Sequence, residues 1–386
     1  MIYFHWIAGC ILGLTWLSRL VAAGFGMSKI PDISREEWDI SPPKQPRVSI
    51  IVPACNEEHN VARTLTQLLA LDYPDYEIIA VNDRSADHTG EVMNSFLHSQ
   101  AGRLKIIHID QLPAGWMGKP HAMWTAAAQS SGDWLLFTDA DVLFKPDSIR
   151  RALAYAEAER ADHLVVFPHM IMRGRGERMM TAFFQTLFVF GHRPWRVADK
   201  KTKDHMGVGA FNMIRRDVYE AIGTHKALRF EVVDDMKLGK LVKERGYRQR
   251  NVFGHDLISI RWAVGALGMV NNLTKNSFAI LSFQPARVLL SVFALLFLNF
   301  FPFAGIFIAH GWARLPYAVA LFSLFSLYTG MSWKSDIRAY YFFLHPVGTV
   351  LFAYTMLRSM LLALRRGGIL WRGTFYPLDD LKKGMV

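Results

Sequence analysis

Two aspartates, Asp139 and Asp141, stand one residue apart at the end of an apolar run, in the stretch WLLFTDADVLF that covers residues 134–144. Two carboxylates at this spacing repel each other, and both lose hydration if the preceding run is a buried strand. A cation between them would relieve both costs, whereas a solvated loop would leave the pair without a function. The spacing alone leaves a metal site and a polar loop as alternatives.

Short apolar runs alternate with amphipathic segments around this pair. The runs that predict strands are VSIIV, YEIIAVND, LKIIHI, WLLFTDAD and HLVVFP. Helical patterns lie between them, such as EEHNVARTLTQLLAL after the first run and PDSIRRALAYAEAE after the fourth. This alternation predicts an α/β fold with a mostly parallel sheet and helices on both faces.

Four acids fall at or just beyond the carboxyl ends of the predicted strands, namely Glu57, Asp83, Asp139 and Asp141. Ligands of such sheets bind at the carboxyl ends of the strands. Because loops at the opposite edge were equally available, the coincidence favours a functional site over a solvated loop.

The composition predicts a second, membrane-associated region. The chain has 386 residues, 51% of them hydrophobic. Apolar runs at 2–18, 288–309, 315–331 and 340–364 approach the roughly 17–25 residues that cross a bilayer. We therefore expect an N-terminal anchor at 1–27, a linker at 28–47, a catalytic domain at 48–262, an interfacial segment at 263–287, transmembrane helices at 288–364 and a basic tail at 365–386.

Charge and cysteine content indicate the compartment and the partners. Arg19 and Lys29 follow the first apolar run, so the positive-inside rule predicts a multi-pass protein of the cell membrane with a cytoplasmic polar region. The two cysteines, Cys10 and Cys55, provide no disulfide framework, as expected in a reducing compartment. Membrane lipids and a phosphorylated substrate account for the net charge of +11 better than nucleic acid, for which no module is visible.

The C-terminal apolar runs create a topological conflict, because three crossings would place the basic tail outside. Either one run does not cross fully, in which case we expect it to be the short 315–331 run, which contains Pro316, or the positive-inside rule fails here. The aromatic stretch 179–191, flanked by arginines, and the segment 263–285 are predicted to lie at the headgroup level. A core helix is the alternative for 179–191.

Six motifs then occur in an order typical of one enzyme family: VSIIVPACNEE, VNDRSADHT, GKPHA, DAD, GVGAF and VVDDMKLG. The chain resembles family 2 glycosyltransferases of the GT-A fold over residues 48–262. The flanking apolar runs and the ending WRGTFY are similar to membrane-bound members that glycosylate lipids, such as carotenoid-acid and ceramide glycosyltransferases. The resemblance implies a nucleotide-sugar donor and a lipid acceptor, and it leaves the oligomeric state open.

The resemblance also implies roles for single residues at the donor site. Pro53, Ala54 and Glu57 would line the nucleoside site together with Ala140, and Asp83 would accept a hydrogen bond from a uracil ring.

A departing diphosphate builds negative charge, which Mg²⁺ or Mn²⁺ stabilises efficiently. Such cations use one or two carboxylates, and substrate phosphates complete the shell. We expect Asp141 to be the direct metal ligand and Asp139 to bind the ribose or support the metal. Lys119, in a Gly-Lys-Pro turn, is expected to reach the diphosphate or the sugar, with an exposed turn lysine as the alternative.

Two further acids, Asp234 and Asp235, precede a helical pattern, where acids also serve as an N-terminal cap. By the resemblance the pair supplies the general base, with Asp235 taking the proton from the acceptor hydroxyl. The pair is Asp-Asp where many members have Glu-Asp, and the second position is intact.

Arg261 and Trp262 resemble half of the Gln-x-x-Arg-Trp signature of processive synthases and ceramide glucosyltransferases. Ile258 stands where the glutamine would be, so transfer of one sugar is expected. Arg261 would support the diphosphate, or the two residues would form a structural stacking pair.

The leading hypothesis is a metal-dependent, inverting membrane glycosyltransferase that transfers one sugar from a nucleotide-sugar to a lipid. The expected donor is a UDP-sugar. One alternative is a processive polysaccharide synthase. The other is a catalytically silent membrane scaffold that binds a nucleotide-sugar.

Overall fold

The computed structural model describes residues 2–97 and 102–384, and the chain divides into two compact units. The α/β unit comprises Ile30–Ile171, Pro194–Arg261 and Leu370–Val386. The helical unit comprises Met1–Lys29, Met172–Arg193 and Trp262–Ile369.

The described residues contain ten strands and fourteen α-helices. The strands are β1 (Val48–Ala54), β2 (Tyr76–Asp83), β3 (Leu104–Ile109), β4 (Trp134–Phe137), β5 (Val142–Phe144), β6 (His163–Met170), β7 (Asn212–Arg215), β8 (Gln249–Ile260), β9 (Gly368–Trp371) and β10 (Thr374–Pro377). The helices are α1 (Ile2–Met27), α2 (Val61–Leu69), α3 (Thr89–Ser95), α4 (Gly118–Ala128), α5 (Ser148–Ala158), α6 (Arg175–Gly191), α7 (Arg216–Ala221), α8 (Asp234–Glu244), α9 (Gly265–Ile280), α10 (Pro285–Asn299), α11 (Phe301–Ile308), α12 (Leu315–Ser332), α13 (His345–Arg366) and α14 (Leu378–Lys383).

The α/β unit is built on one eight-stranded sheet with the strand order β3-β2-β1-β4-β7-β6-β8-β5. Neighbours pair in parallel except at β4/β7, β7/β6 and β8/β5, where they are antiparallel. The prediction of an α/β fold with a mostly parallel sheet is therefore confirmed. Strand β7, which separates β4 from β6, was not predicted.

Both faces of the sheet are covered, as the continuous apolar character of β1 requires. Ile50 and Val52 pack in a cluster with Leu65 of α2 and Leu153 of α5. The intervening Ile51 packs on the opposite face, in the cluster that contains residues of α4, α7 and α8. Because alternate side chains of a strand point to opposite faces, this one strand anchors two helical layers and fixes the edge at which it ends.

Among the residues that the structure describes, three helices of the helical unit are long and apolar enough to cross a membrane, at Ile2–Met27, Gly311–Ser332 and Ala339–Arg366. Helix α1 approaches α12 closely, since a Cβ added at Gly13 would lie 2.8 Å from the carbonyl oxygen of Pro316. Small residues at such contacts let membrane helices pack tightly. Helix α6 packs on α9 and α13 and buries Met180 and Phe183.

Pro316 does not break the 315–331 run, and whether this run crosses a membrane stays a prediction. It forms one continuous helix, α12, in which Pro316 occupies the first turn, where a proline is tolerated. The 288–309 run is instead broken, because α10 and α11 meet at a bend of 50°. Pro302 lies in the first turn of α11, where it removes a backbone donor from what would be a continuous helix.

Three predicted domain boundaries also differ from the structure. The expected linker 28–47 contributes Ile33 to the core, and Ile33 N donates to the Phe253 carbonyl at 2.9 Å. The expected catalytic domain 48–262 is interrupted, because Met172–Arg193 belongs to the helical unit. The expected basic tail is folded, since Leu370–Val386 belongs to the α/β unit and Leu381 is fully buried.

Candidate active site

The loop after β1 presents the first acid of the site. Pro53 and Ala54 are the last two residues of β1, and Asn56 then takes a left-handed φ of 55°, which asparagine adopts more readily than most residues. The backbone N–H of Glu57 donates to Thr89 Oγ1 at 2.7 Å. The sequence therefore holds Glu57 at the carboxyl edge of the sheet through the neighbouring β2–α3 loop.

Asp83, the last residue of β2, is paired with the next residue in the chain. Arg84 Nε and Nη2 donate to the two carboxylate oxygens of Asp83 at 2.7 and 3.0 Å. This hydrogen bonding is also the leading cause that raises the pKa of Arg84. Gly118 leaves room for the pair, since a Cβ there would lie 2.4 Å from Asp83 Oδ2. Each carboxylate oxygen has a second lone pair, so contact of Asp83 with a base stays a prediction.

The opening pair of aspartates follows β4, and Lys119 contacts one of them. Lys119 Nζ donates to Asp139 Oδ1 at 2.6 Å, so the alternative of an exposed turn lysine is excluded. Thr64 Oγ1 donates to the carbonyl of Ala140 at 2.8 Å, which pins the turn between the two acids. The side chains of Asp139 and Asp141 are thereby fixed at the edge where β1 and β2 also end.

Burial and neighbouring charges shift the pKa values of the side chains in this cluster. Burial is the largest cause that raises the pKa of Asp141, to about 7, and the charges of Asp139 and Glu57 raise it further. Burial opposes the charge of Lys119, but Asp139, Asp234 and Asp235 outweigh it and raise the Lys119 pKa. One amine thus compensates carboxylates from two separate parts of the chain.

The second acid pair opens helix α8. Burial raises the pKa of Asp234 to about 7, and Lys119 opposes this shift. The pKa of Asp235 is also raised, again first by burial and against Lys119. Asp235 Oδ1 accepts from the N–H of Met236 at 2.7 Å. Asp234 is buried and Asp235 is partly exposed, so Asp235 is the more accessible acid of the pair.

The GVGAF motif joins the two acidic groups, a role that the sequence did not reveal. A Cβ at Gly209 would lie 2.6 Å from Asp139 Oδ2. A Cβ at Gly207 would lie 1.8 Å from the carbonyl oxygen of Asp235. The repeated glycines were the available signal, because glycine is required wherever backbone approaches another group this closely.

Arg261 and Trp262 lie at a boundary between the two units. Arg261 is the last residue of the second α/β segment and Trp262 the first of the third helical segment. The Trp262 ring lies edge to face with Phe184 at 4.7 Å between centroids, inside the helical unit. A donor-binding role for Arg261 and Trp262 stays a prediction.

The sequence analysis also assigned no role to Arg372, which contacts the loop after β1. Arg372 Nη2 donates to Glu57 Oε1 at 2.7 Å, and Arg372 Nη1 donates to the carbonyl of Cys55. The signal in the sequence was the ending WRGTFY, which indicated a resemblance but no role.

Within residues 2–97 and 102–384, no group of three or more His, Cys, Asp or Glu side chains is arranged to hold a metal ion. The donor set nevertheless fits Mg²⁺ or Mn²⁺ bound together with a phosphate ligand. Those cations need only one or two protein carboxylates when phosphates complete the shell, and Asp139 and Asp141 are hard oxygen ligands at one sheet edge.

Residues 49–223 match the family model of glycosyl transferase family 2. A 4,4'-diaponeurosporenoate glycosyltransferase of Staphylococcus haemolyticus is 23% identical over 232 residues, which cover 59% of this chain and 60% of that protein. A β-monoglucosyldiacylglycerol synthase of Synechocystis is 31% identical over 157 residues, which cover 38% of this chain and 32% of that protein. The chain thus spans about a third to three fifths of the length of these relatives.

Among solved structures, a mannosyltransferase from Pyrobaculum calidifontis in complex with GDP-mannose and Mn²⁺ has a TM-score of 0.52 and 19% identity. The match covers 94% of this chain and 98% of that one, which extends the likeness of fold beyond the catalytic residues. The likeness to glycosyl transferase family 2 therefore covers residues 49–223, and the fold of the chain is like that of a solved GT-A glycosyltransferase.

Proposed function

We propose that this protein is a membrane-bound, inverting glycosyltransferase that moves one sugar from a nucleotide-sugar to a lipid acceptor. The observation that carries the proposal is the sharing of Lys119 between the acids of two groups. Lys119 is hydrogen-bonded to Asp139 and is attracted by Asp234 and Asp235. A donor held at the first group would therefore have its reacting sugar close to the second.

In the proposed reaction the acceptor oxygen attacks C1 of the sugar while the bond from C1 to the diphosphate oxygen breaks. The nucleoside diphosphate leaves with the electron pair, and Asp235 takes the proton of the acceptor hydroxyl. A single displacement of this kind inverts the configuration at C1. A positioned base typically contributes about 10²–10⁴-fold in rate.

Mg²⁺ or Mn²⁺ is the proposed cofactor, with Asp141 as its direct ligand and Asp139 beside it. When bound, the cation would stabilise the charge of the departing diphosphate. Lys119 would remain on Asp139 and orient that carboxylate.

The lipid acceptor is supported by the relatives and by the helical unit. Two relatives are named for diaponeurosporenoate and for diacylglycerol. The three helices that could span a membrane would bring an acceptor of that kind to the enzyme. The carboxylate in the first of these names leaves both a hydroxyl and a carboxylate as candidate acceptor groups.

A two-crossing arrangement of the C-terminal helices resolves the conflict with the positive-inside rule. Leu370–Val386 folds with Ile30–Ile171 in one unit, so in a membrane both stretches would lie on one side and the crossings between them would be even in number. We propose that α12 and α13 cross and that the bent pair α10–α11 returns to its own side. Arg365 and Arg366 then lie in the cytoplasm with Arg19.

Sealed vesicles test this topology. In a variant without Cys10 and Cys55, a cysteine placed at Lys383 should react with an impermeant thiol reagent only from the cytoplasmic side. Labelling from the outer side would contradict the even number of crossings.

Transfer of a single sugar is preferred to processive synthesis because of the environment of Ile258. Its side chain is fully buried in the core and lies on β8, opposite Phe144 of β5. A glutamine that served a polymer channel would need to face that channel.

The decisive experiment supplies purified full-length protein, Mn²⁺ and membrane lipid extract with radiolabelled UDP-sugars and GDP-sugars. GDP is included because the solved mannosyltransferase of this fold holds GDP-mannose. One donor should yield a lipid whose mass rises by a single sugar, with inverted anomeric configuration by NMR.

The same assay is run on Asp235→Asn, which removes the proposed base. Asp379→Asn is the matched control, because Asp379 is an exposed acid at the start of another helix. Products longer by several sugars would favour the processive synthase. Donor binding without transfer to any lipid would favour the silent scaffold.

A further inference from the structure

The C-terminal part of the chain forms a hairpin, β9–β10, whose turn carries an arginine. Arg372 and Gly373 have φ values of 48° and 80°. Two successive left-handed residues form the tight hairpin turn that favours Asn-Gly or Asp-Gly. Because this turn does not favour arginine, the side chain of Arg372 needs another explanation.

Two hydrogen bonds fix the hairpin to loops of the α/β unit. Arg84 Nη1 donates to Thr374 Oγ1 at 2.9 Å. The N–H of Gly118, which precedes Lys119, donates to the Tyr376 hydroxyl at 3.1 Å. The hairpin is therefore anchored to the residue that follows Asp83 and to the residue that precedes Lys119.

The guanidinium of Arg372 lies beside the loop that follows β1. It donates to Glu57 Oε1 at 2.7 Å and to the carbonyl of Cys55. An arginine side chain has five N–H donors, and these two contacts use two of them. The side chain is 41% exposed, so the remaining N–H groups can reach a ligand.

Charge indicates which ligand this would be. Carboxylates outnumber cations at this edge, where Glu57, Asp83, Asp139 and Asp141 face Arg84, Lys119 and Arg372. Of these cations, Arg84 is engaged with both oxygens of Asp83 and Lys119 with Asp139. Arg372 is the one delivered by a hairpin from a distant part of the sequence, and its planar fork suits phosphate oxygens.

Resting on the proposed function, we propose that Arg372 binds the diphosphate of the nucleotide-sugar and that hairpin β9–β10 is a wall of the donor site. Glu57 and the Cys55 carbonyl orient the guanidinium before the donor arrives. The hairpin thus makes donor binding depend on the segment that follows the last membrane helix.

The competing explanation is that Arg372 only clamps the hairpin to the β1 loop. The two roles differ in what they do to ligands with and without phosphate. If Arg372 binds the diphosphate, its loss should weaken the binding of UDP or GDP but not that of uridine or guanosine. If Arg372 only clamps the loop, its loss should weaken the binding of nucleotide and nucleoside equally.

The test titrates full-length protein in nanodiscs with UDP and GDP in the presence of Mn²⁺, and with uridine and guanosine. The variants are Arg372→Gln, Arg372→Lys and the control Lys382→Gln, which changes an exposed residue of α14. We expect Arg372→Gln to weaken binding of the preferred nucleoside diphosphate by about 10–100-fold and nucleoside binding by less than threefold. Arg372→Lys should fall between the wild type and Arg372→Gln, and Lys382→Gln should match the wild type.

Each other outcome overturns the inference. If Arg372→Gln binds the nucleoside diphosphate with unchanged affinity, or loses affinity equally for nucleoside diphosphate and nucleoside, then Arg372 does not bind the diphosphate. The proposed function would remain intact. If wild-type protein binds neither UDP nor GDP, the proposed function fails first and this inference fails with it. Melting temperatures of all variants should match, since Arg372→Gln removes one partly exposed ion pair.

Discussion

Substitution of Gly207 by alanine should displace the proposed general base, Asp235, through its backbone, with the carboxylate itself unchanged. The added Cβ would lie 1.8 Å from the carbonyl oxygen of Asp235 and 2.2 Å from its carbonyl carbon. Non-bonded heavy atoms favour separations of about 3.5–4.0 Å, so the start of α8 must move by roughly 1.5 Å or more. Gly207 has no left-handed φ, so the effect is steric and not conformational.

The size of the effect follows from that displacement. A misplacement of about 1 Å at a reacting group can cost 10²-fold in rate, so kcat should fall by about 10²-fold. Overpacking typically costs about 1–3 kcal/mol, so the folded state should also lose some stability. Donor affinity should change by only a few fold, because Gly207 contacts the acid pair and not the β1 loop.

The assay is steady-state transfer with the donor concentration varied, alongside calorimetric titration of the nucleoside diphosphate and a thermal melt. Gly330→Ala is the matched control, because a Cβ at Gly330 meets no atom within 4 Å. A folded Gly207→Ala enzyme with kcat near that of the wild type would refute the proposal that Asp235 must hold this position. A loss of donor affinity as large as the loss of kcat would refute the separation of the two acidic groups.

Three further predictions concern titratable residues. Asp235→Asn should retain donor binding and lose transfer by about 10²–10⁴-fold, Asp234→Asn should lose less, and near-normal transfer by Asp235→Asn would indicate a carboxylate acceptor that needs no base. Asp141→Ala should abolish the strengthening of UDP or GDP binding by Mn²⁺, and calorimetry that finds an unchanged metal dependence contradicts the assignment. Burial lowers the pKa of His163 to about 4 and of His225 to about 3, against about 6.5 in the unfolded chain. The unfolded state therefore binds more protons, and stability that is present above pH 6.5 should be lost as the pH falls towards 4, by about 2 kcal/mol for each histidine at pH 5. Asp141 and Asp234, whose pKa values burial raises to about 7, act in the opposite direction, so the test is the difference between thermal melts of the wild type and of His225→Asn from pH 8 to pH 5. A wild type that loses no more stability on acidification than this variant would contradict the prediction.

The sheet and its acidic edge could be predicted because each signal is local. Strands β1, β2 and β4 are mainly apolar runs that are largely buried, and an acid that follows such a run must lie at its carboxyl edge. Strand β7 gives no such signal, since NMIR has four residues and gains its place only by pairing with β4 and β6.

Long-range contacts escaped prediction for a related reason. Glu57 and Arg372 are 315 residues apart, and neither local pattern refers to the other. Ile33 lies in a segment rich in proline and charge, and distant partners such as Phe253, to which no local pattern refers, make that segment part of the core.

Two of the prolines in the C-terminal runs show how position decides the effect of one residue type. Pro302 interrupts a run that is otherwise continuous from α10 to α11, whereas Pro316 falls in the first turn of α12, where its missing N–H has no partner to lose. The presence of a proline in a run therefore does not by itself predict a break in the helix.

The balance of charge at the site connects the metal, the donor and the hairpin in the proposed function. Six carboxylates share the edge with three cationic side chains, the acids being Glu57, Asp83, Asp139, Asp141, Asp234 and Asp235, and the cations being Arg84, Lys119 and Arg372. A diphosphate would add negative charge to a site that already has an excess of it. Donor and divalent cation should therefore bind together, with Arg372 supplying the charge that the sheet edge lacks. The fold of residues 370–384 would then be a condition for donor binding, so a truncation before residue 370 should weaken the binding of UDP or GDP at least as much as Arg372→Gln does.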